Sequence, residues 1–228
     1  MRYITEQELR DEFLNGIPDR YEPPADAKLT PAARQYLMDL KLYHPGQSEK
    51  HAAKTPVGKK PEHMTHLTST EWALKSHPRI MLRGKLDSLE AEILLAQISA
   101  QNLCAPDISS RLEEALALVR RILASEVKST PLGDWSLDGM SPQRLQEASH
   151  RPQEFGFAGH ILPVAAQGEM AALMNRLRTQ VRETELAAVA AFCQGQDACS
   201  REDILMALNR LSSYFYILQL RCVKEREG

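Results

Sequence analysis

Hydrophobic spacing predicts that the chain is helical almost throughout after residue 80. Apolar residues recur every three or four positions in residues 86–100, 106–127 and 165–194, in the shorter segment 141–150, and from residue 200 to the carboxyl end. This spacing places the apolar residues on one face of each helix, which can then be buried. We find no alternating pattern typical of a β-strand and no internal repeat. The pattern therefore predicts an all-α fold, a bundle of about five helices.

The first 80 residues differ because prolines interrupt them repeatedly. Two short helices fit between the prolines. One begins after Thr5, which forms capping-box spacing with Glu8, and the other begins after Thr30, with Pro31 at its first position. Residues 43–63 show no periodicity and are predicted to form a long loop. We therefore expect an N-terminal extension over residues 1–68, with two short helices and a proline-rich loop, and the helical bundle over residues 69–228.

Composition and charge limit the partners that this chain can have. The net charge is −2 and 43% of the residues are hydrophobic, which is typical of a globular protein without a basic surface. Such a chain has no overall field to hold nucleic acid or an anionic membrane, so any anion must be bound by a local cluster. No segment resembles a signal peptide or a membrane helix, and we expect a cytoplasmic location. The four cysteines form no C-x-x-C pair and are predicted to be buried, reduced thiols.

Charged residues border the apolar stripe of the segment 165–194. Arg178 and Arg182 are four residues apart and lie on one side with Asn175 and Glu185. Like charges at this spacing repel by roughly 0.2–0.5 kcal/mol in an isolated helix. One interpretation is a solvated helix edge. The other is a polar seam in which the arginines bind phosphate, Asn209 borders the neighbouring stripe, and Asp87 fixes one guanidinium.

Four sequence blocks resemble the signature blocks of one enzyme family. They are "HPRIMLRGKLDSLEAEI", "HILP", "NRLRTQVRETE" and "ALNRLSS", and in this order they are similar to ATP:cob(I)alamin adenosyltransferases. The ethanolamine-utilisation branch is the most similar, and "ITEQELR", "LTPAAR" and "THL" extend the resemblance over nearly the whole chain. The resemblance implies a five-helix bundle over residues 69–228 as the catalytic domain. It also implies ATP sites at subunit interfaces, and hence a homo-oligomer, either a dimer or a trimer.

The resemblance also implies a reaction and roles for particular residues. Cob(I)alamin attacks the 5′ carbon of ATP, and the protein supplies positioning and electrostatics while cobalt supplies the reactivity. Arg178 and Arg182 are expected to hold the triphosphate leaving group. Asp87 is expected to pair with Arg178, across the interface in one arrangement. Asn209 and Glu185 are expected to contact ATP.

His160 occupies a position where relatives of the propanediol type carry a phenylalanine that faces the corrinoid. Three roles remain open from the sequence: a flat ring packed on the corrinoid, a cobalt ligand, or a structural histidine. The glycine-rich phosphate loop of those relatives is missing here. Lys59 and Lys60 offer suitable charge for phosphate, although a solvated lysine pair is the plainer interpretation. Glu183 and Ser213 replace an arginine and an aspartate, as in the ethanolamine branch.

The metal ion that we expect in the reaction is the Mg²⁺ that accompanies ATP. Many members of the ethanolamine branch carry a cysteine-rich metal segment before "THL", but residues 43–66 contain no cysteine. His63 and His66 could supply only half of a site. We therefore expect ATP to act with Mg²⁺, cobalamin to be the second substrate, and no transition metal to be bound by the protein.

The resemblance places the product in ethanolamine degradation. Adenosylcobalamin would pass to ethanolamine ammonia-lyase, a flavoprotein would supply the reducing electrons, and a bacterial microcompartment would hold the enzyme. The alternative is a non-catalytic helical protein, either a carrier of adenosylcobalamin or ATP or a microcompartment scaffold. The arginine pair distinguishes these hypotheses, since carrying the finished product requires no triphosphate site.

Overall fold

The computed structural model describes residues 2–13, 21, 27–40, 42, 60–194 and 198–227. The chain divides into two units, Met1–Thr55 and Pro56–Gly228. Lys59 lies outside the described residues. No helix within the described ranges is long and apolar enough to cross a membrane.

The N-terminal unit contains two short helices and one small sheet. Strand β1 (Arg2–Ile4) pairs in parallel with β2 (Ala27–Leu29), and helices α1 (Glu6–Glu12) and α2 (Pro31–Asp39) follow them. Thr5 forms the predicted capping box with Glu8, and the Thr30 hydroxyl accepts the Ala33 N–H, so both predicted helix starts are confirmed. The unit has its own small core of buried residues: Ile4, Leu9, Phe13, Leu29, Ala33 and Leu37.

The second unit begins with a short ribbon and continues as a five-helix bundle. Strands β3 (Met64–His66) and β4 (Trp72–Leu74) pair antiparallel. The bundle helices are α3 (Pro78–Asn102), α4 (Pro106–Lys128), α5 (Pro142–Ser149), α6 (Glu169–Phe192) and α7 (Glu202–Glu227). Helix α3 packs on α4 and α6, and α7 packs on α6, α5 and α4. The predicted all-α class is therefore confirmed.

The predicted apolar stripes form the core of this bundle. Leu86, Leu89 and Ile93 of α3 are fully buried, as are Leu112 and Val119 of α4. Burial of each such side chain contributes roughly 1.5–3 kcal/mol relative to exposure, which explains why the spacing predicts the fold. Helix α6 begins later than predicted: residues 165–167 form a 3-10 turn, and Gly168 has a φ of +92°, which interrupts the helix. Such a φ is accessible mainly to glycine.

The cysteine prediction is correct for one residue of four. Cys222 is buried, and burial raises the pKa of its thiol to about 12. Cys104 is exposed just after α3. Cys193 and Cys199 form a disulfide, because the short strands β5 (Cys193–Gln194) and β6 (Ala198–Cys199) pair antiparallel and bring their Cα atoms to 4.1 Å. The prediction was wrong here because Cys193 was expected at the end of a helix and no strand pairing was expected between Cys193 and Cys199.

A buried ion cluster joins α3 to α4. Glu126 is completely buried, and its carboxylate accepts the Nε–H groups of Arg79 and Arg83, each at 2.5 Å. Arg79 also donates to the Glu126 carbonyl, and Arg83 donates to the carbonyls of His66 and Leu67. Breaking such a pair is costly because the remaining charges lose their partner in a medium of low polarity. This cluster therefore ties the β3–β4 ribbon and the first turns of α3 to the last turn of α4.

We expect Glu126→Ala to lower the free energy of unfolding by about 3–5 kcal/mol. Glu183→Ala is the matched control, because Glu183 pairs with Lys85 at 2.9 Å while both side chains are about half exposed. An exposed pair contributes about 1 kcal/mol or less. Urea unfolding measures the free energy of unfolding of both variants. The fluorescence of Trp72 and Trp135 reports on the second unit, which contains the bundle. Equal losses in the two variants would contradict the importance of the buried cluster.

Candidate functional site

A line of polar residues runs along the contact between α6 and α7. We call it the polar seam, and its members are Asn175, Arg178, Arg182 and Glu185 of α6 and Asn209, Ser213, Tyr216 and Gln219 of α7. Within each helix these residues are spaced by three or four positions, so they share one face. The two helices pack in opposite directions, with Glu185 next to Asn209 at one end and Arg178 near Tyr216 toward the other.

One end of the polar seam opens into a cavity of about 410 Å³. The segment between α5 and α6 forms one wall through His160, Ile161, Leu162 and Pro163. The remaining lining residues come from α6, α7 and the end of α5: Asn175, Arg178, Ser212, Ser213, Tyr216, Gln219, Ser149 and His150. The lining therefore combines apolar side chains with several hydrogen-bond donors, which is the composition usual for a ligand site.

Among the described residues that line the cavity, Arg178 carries the one permanent charge. Its Nε and a terminal nitrogen donate to Asn175 Oδ1 at 3.2 and 2.9 Å. Burial lowers the pKa of Arg178, and the positive charge of Arg182 lowers it further. Neither arginine forms an ion pair with a carboxylate among the described residues. A half-buried cation with only a neutral partner is an energetically favourable site for an anion.

The opposite end of the polar seam is already hydrogen-bonded within the protein. Asn209 Nδ2 donates to Glu185 Oε1 at 3.0 Å, and Asn209 Oδ1 accepts from Arg210 at 2.5 Å. Arg210 also donates to Gln146 Oε1 at 2.7 Å, which ties this end to α5. The fold thus brings Glu185 and Asn209 together, as the hypothesis of a shared site requires.

Of the other predicted site residues, His160 lines the cavity, Asp87 and Lys60 lie apart from it, and Lys59 lies outside the described residues. Asp87 is exposed on α3 and forms no ion pair with Arg178 or with any other described residue. Lys60 is half-buried at the start of the second unit and does not line the cavity, while Lys59 is not described. His160 lines the cavity directly. Their proposed roles therefore stay predictions.

Sequence reasoning missed two residues of the polar seam, Tyr216 and Gln219. Both continue the spacing that starts at Asn209 and passes through Ser213, so extending that line by helical periodicity could have found them. The Tyr216 hydroxyl lies 3.0 Å from His160 Nδ1 and 3.4 Å from the Ile161 nitrogen. Gln219 is 1% exposed, and its Nε2 has no hydrogen-bond partner in the described part of the chain.

A sequence model of a known protein family matches the part of the chain that contains the polar seam. The model for cobalamin adenosyltransferases matches residues 56–222, which include the bundle core as far as Cys222 and every member of the polar seam. This chain belongs to the cobalamin adenosyltransferase family. The resemblance inferred from the four sequence blocks is confirmed, and so is the enzyme class.

Curated members of the family align with nearly the whole chain. The chain is 34% identical over 253 aligned positions to the corrinoid adenosyltransferase EutT of Salmonella typhimurium strain LT2, covering 97% of this chain and 92% of that protein. It is 33% identical over 256 positions to the corrinoid adenosyltransferase EutT of Escherichia coli K12, covering 98% and 93%. No solved structure matches the chain significantly. The match to these relatives includes the N-terminal unit, which lies outside the family model.

We expect Gln219→Met to raise the stability of this cobalamin adenosyltransferase by about 1 kcal/mol. The substitution removes a buried amide that lacks a partner, and such a group costs roughly 1–3 kcal/mol. Gln97→Met is the matched control, because the buried Gln97 amide donates to Glu113 Oε2 at 2.9 Å and its loss should be destabilising. Urea unfolding measures both. A Gln219→Met variant less stable than the parent would contradict the absence of a partner.

Proposed function

We propose that this chain, an ATP:cob(I)alamin adenosyltransferase, carries out its reaction at the cavity end of the polar seam. Cob(I)alamin forms a bond from cobalt to the 5′ carbon of ATP, the bond from that carbon to its oxygen breaks, and the triphosphate leaves with the electron pair. Negative charge therefore accumulates on the leaving oxygen. A fixed positive charge close to that oxygen stabilises the transition state more than the ground state.

The single observation that supports this proposal best is the half-buried, unneutralised charge of Arg178. Arg182 follows one helical turn later and adds a second cation on the same face. Because the bundle core fixes α6, the backbone positions of both arginines are set before an anion arrives. We therefore assign the triphosphate to this pair, with Arg178 nearer the cavity and the more exposed Arg182 further along the seam. Asn175 orients Arg178 through its two hydrogen bonds.

We assign the corrinoid to the cavity wall that contains His160. This wall also presents Leu162, whose side chain is 82% exposed, and the partly buried Ile161. A flat, largely apolar macrocycle with polar substituents matches a wall of apolar side chains beside hydrogen-bond donors. The 5′ carbon of ATP would then lie between the arginines and this wall. Glu185 and Asn209 act at the far end of the seam, beside the nucleoside.

We infer that the complete site requires a second copy of the chain. Asp87 has no partner within the described residues of one chain. It lies on α3 between Lys85 and Glu92, which both pair with residues of α6. The exposed part of α3 also carries apolar side chains, with Met81 57% exposed, Leu95 57% and Ile98 53%. A dimer or a trimer would cover such a face and could bring Asp87 to Arg178 of another subunit. Lys59 and Lys60 are assigned to the phosphates in the same assembly.

The biological setting is also proposed. The curated relatives bear the name of an ethanolamine-utilisation protein, which supports supply of adenosylcobalamin to ethanolamine ammonia-lyase. A reducing flavoprotein and a cytoplasmic microcompartment are the corresponding partner and location. Neither the family model nor the relatives support the alternative of a non-catalytic carrier or scaffold.

The arginine assignment predicts a specific pattern of activity losses. Arg178→Ala and Arg182→Ala should each reduce turnover about ten- to a hundredfold, since one charge-assisted contact contributes about 1.5–3 kcal/mol. Arg176→Ala is the control, because Arg176 lies on the same helix but pairs with Glu92 outside the seam. Cobalamin reduced anaerobically to Co(I) is mixed with each protein and MgATP, and photolabile adenosylcobalamin is followed by its visible spectrum.

Two outcomes would contradict this part of the proposal. Normal turnover by Arg182→Ala would remove that residue from the triphosphate site. A parent protein that forms no product, with cobalamin fully reduced, would contradict the location of the reaction as well. Circular dichroism of each variant shows whether it remains folded, and Arg178→Lys retains the charge while losing the paired donors.

We further predict that activity needs Mg²⁺ but no transition metal bound by the protein. Mg²⁺ commonly binds through substrate phosphates and water, which fits its role with ATP. In the described residues no group of three histidine, cysteine, aspartate or glutamate side chains is placed to hold a metal ion, and His66 instead lies edge-on to Trp72. After stringent chelation, Mg²⁺ alone should restore full turnover. Restoration by zinc or iron but not by Mg²⁺ would overturn the prediction.

A further inference from the structure

Tyr216 joins the segment between α5 and α6 to the face of α7. Its hydroxyl oxygen lies 3.0 Å from His160 Nδ1, and the Ile161 N–H points to the same oxygen at 3.4 Å. The two rings are 5.5 Å apart between centroids and inclined by 39°. His160 itself is exposed, whereas Ile161 packs partly against the core. Tyr216 therefore connects the exposed histidine to a rigid helix.

The direction of these hydrogen bonds determines which nitrogen of His160 carries the proton. The Ile161 backbone nitrogen can only donate, so the Tyr216 oxygen is its acceptor. Among the described residues, the acceptor within reach of the phenolic O–H is His160 Nδ1, so the arrangement that gives this proton a partner in the protein has Tyr216 donating to Nδ1. A neutral imidazole has one donor nitrogen and one acceptor nitrogen. If Nδ1 accepts, the proton lies on Nε2.

We propose that Tyr216 is a positioning residue that holds His160 at the cavity wall as the Nε2–H tautomer. The inference rests on the proposed corrinoid site in this cavity. An imidazole coordinates a metal through a nitrogen lone pair, and in this tautomer the lone pair of Nδ1 is engaged by Tyr216 while Nε2 carries a proton. His160 therefore presents a ring face and an N–H donor to the corrinoid. It does not serve as a cobalt ligand.

This assignment separates two of the three roles that the sequence left open for His160, the cobalt ligand and the flat ring packed on the corrinoid. A cobalt ligand would require the proton to move to Nδ1 and the Tyr216 hydroxyl to find another acceptor. A flat ring beside the corrinoid requires neither change. The N–H group could also donate to an amide oxygen at the edge of the macrocycle. A phenylalanine at this position would supply the flat ring without the donor.

The tautomer can be measured without any substrate. Long-range ¹H–¹⁵N spectra of the imidazole side chains distinguish protonated from unprotonated ring nitrogens, and His160→Gln identifies the His160 signals. We expect an unprotonated Nδ1 and a protonated Nε2 in the parent protein. Tyr216→Phe should shift this equilibrium, whereas Tyr214→Phe should not. Tyr214 is the matched control because it is buried on the same helix and its hydroxyl lies 3.5 Å from the Arg111 carbonyl.

A protonated Nδ1 in the parent protein would overturn the proposal. So would a Tyr216→Phe spectrum that is identical to that of the parent. These outcomes do not depend on activity, so they are separate from a failure of the proposed function. An inactive parent with the expected tautomer would contradict the corrinoid role while leaving the hydrogen-bond assignment in place.

Kinetics tests whether Tyr216 acts through His160. Tyr216→Phe should raise the KM for cob(I)alamin about three- to tenfold, the loss expected for one neutral hydrogen bond, and leave the KM for ATP unchanged. In a His160→Phe background the same change at Tyr216 should have no further effect on the KM for cob(I)alamin, because the residue through which it acts is missing. An equal effect in both backgrounds would contradict the positioning role. An equal rise in both KM values would contradict it as well.

Discussion

The repulsion between Arg178 and Arg182 is the constraint on which the candidate site depends. An isolated helix would relieve it by fraying or by rotating the side chains into water. Here the buried side chains of α6 fix the helix against α3 and α7, and burial lowers the pKa of Arg178, with the charge of Arg182 as the smaller cause. The free energy that stabilises the bundle thus maintains a local concentration of positive charge. An anion that enters the cavity lowers the energy of the site without requiring the helices to move.

The way in which α6 and α7 pack explains why the polar residues meet. The helices run in opposite directions, so a residue three or four positions further along α6 faces one that is three or four positions earlier in α7. Glu185 therefore contacts Asn209, and Arg178 shares the cavity wall with Tyr216. The segment that carries His160 forms the adjoining wall of the cavity. The Tyr216 hydroxyl is hydrogen-bonded to this segment. A single helix pair thus aligns the groups assigned to triphosphate and to corrinoid.

Sequence periodicity predicted the bundle because its helices are long and each buries a regular stripe, as Leu86, Leu89 and Ile93 illustrate. The six short strands in the described residues were not predicted, since two or three residues are too few to establish an alternating pattern. Pairing of Cys193 with Cys199 depends on the hairpin between α6 and α7, which the cysteine spacing alone does not specify. Helical spacing beside the apolar stripes and the sequence blocks both pointed to Arg178, Glu185 and Asn209, and the structure places all three on the polar seam. Tyr216 and Gln219 were missed because a tyrosine or glutamine beside an apolar stripe has no distinctive pattern until the opposite helix is known.

The two ends of the polar seam differ in a way that bears on their roles. At the Glu185 end Asn209 is hydrogen-bonded to Glu185 and Arg210, and Arg210 is bonded to Gln146 of α5, although Arg210 Nε has no partner among the described residues. At the cavity end the Gln219 amide lacks a partner and the Arg178 charge lacks a counter-ion in the described residues. Unsatisfied groups gain most from a ligand, whereas satisfied groups would first have to give up existing bonds. These existing bonds keep α6 and α7 in register, and a contact of Glu185 and Asn209 with the nucleoside has to compete with them. Most of the free energy of ligand binding is expected at the cavity end, where charge develops during the reaction.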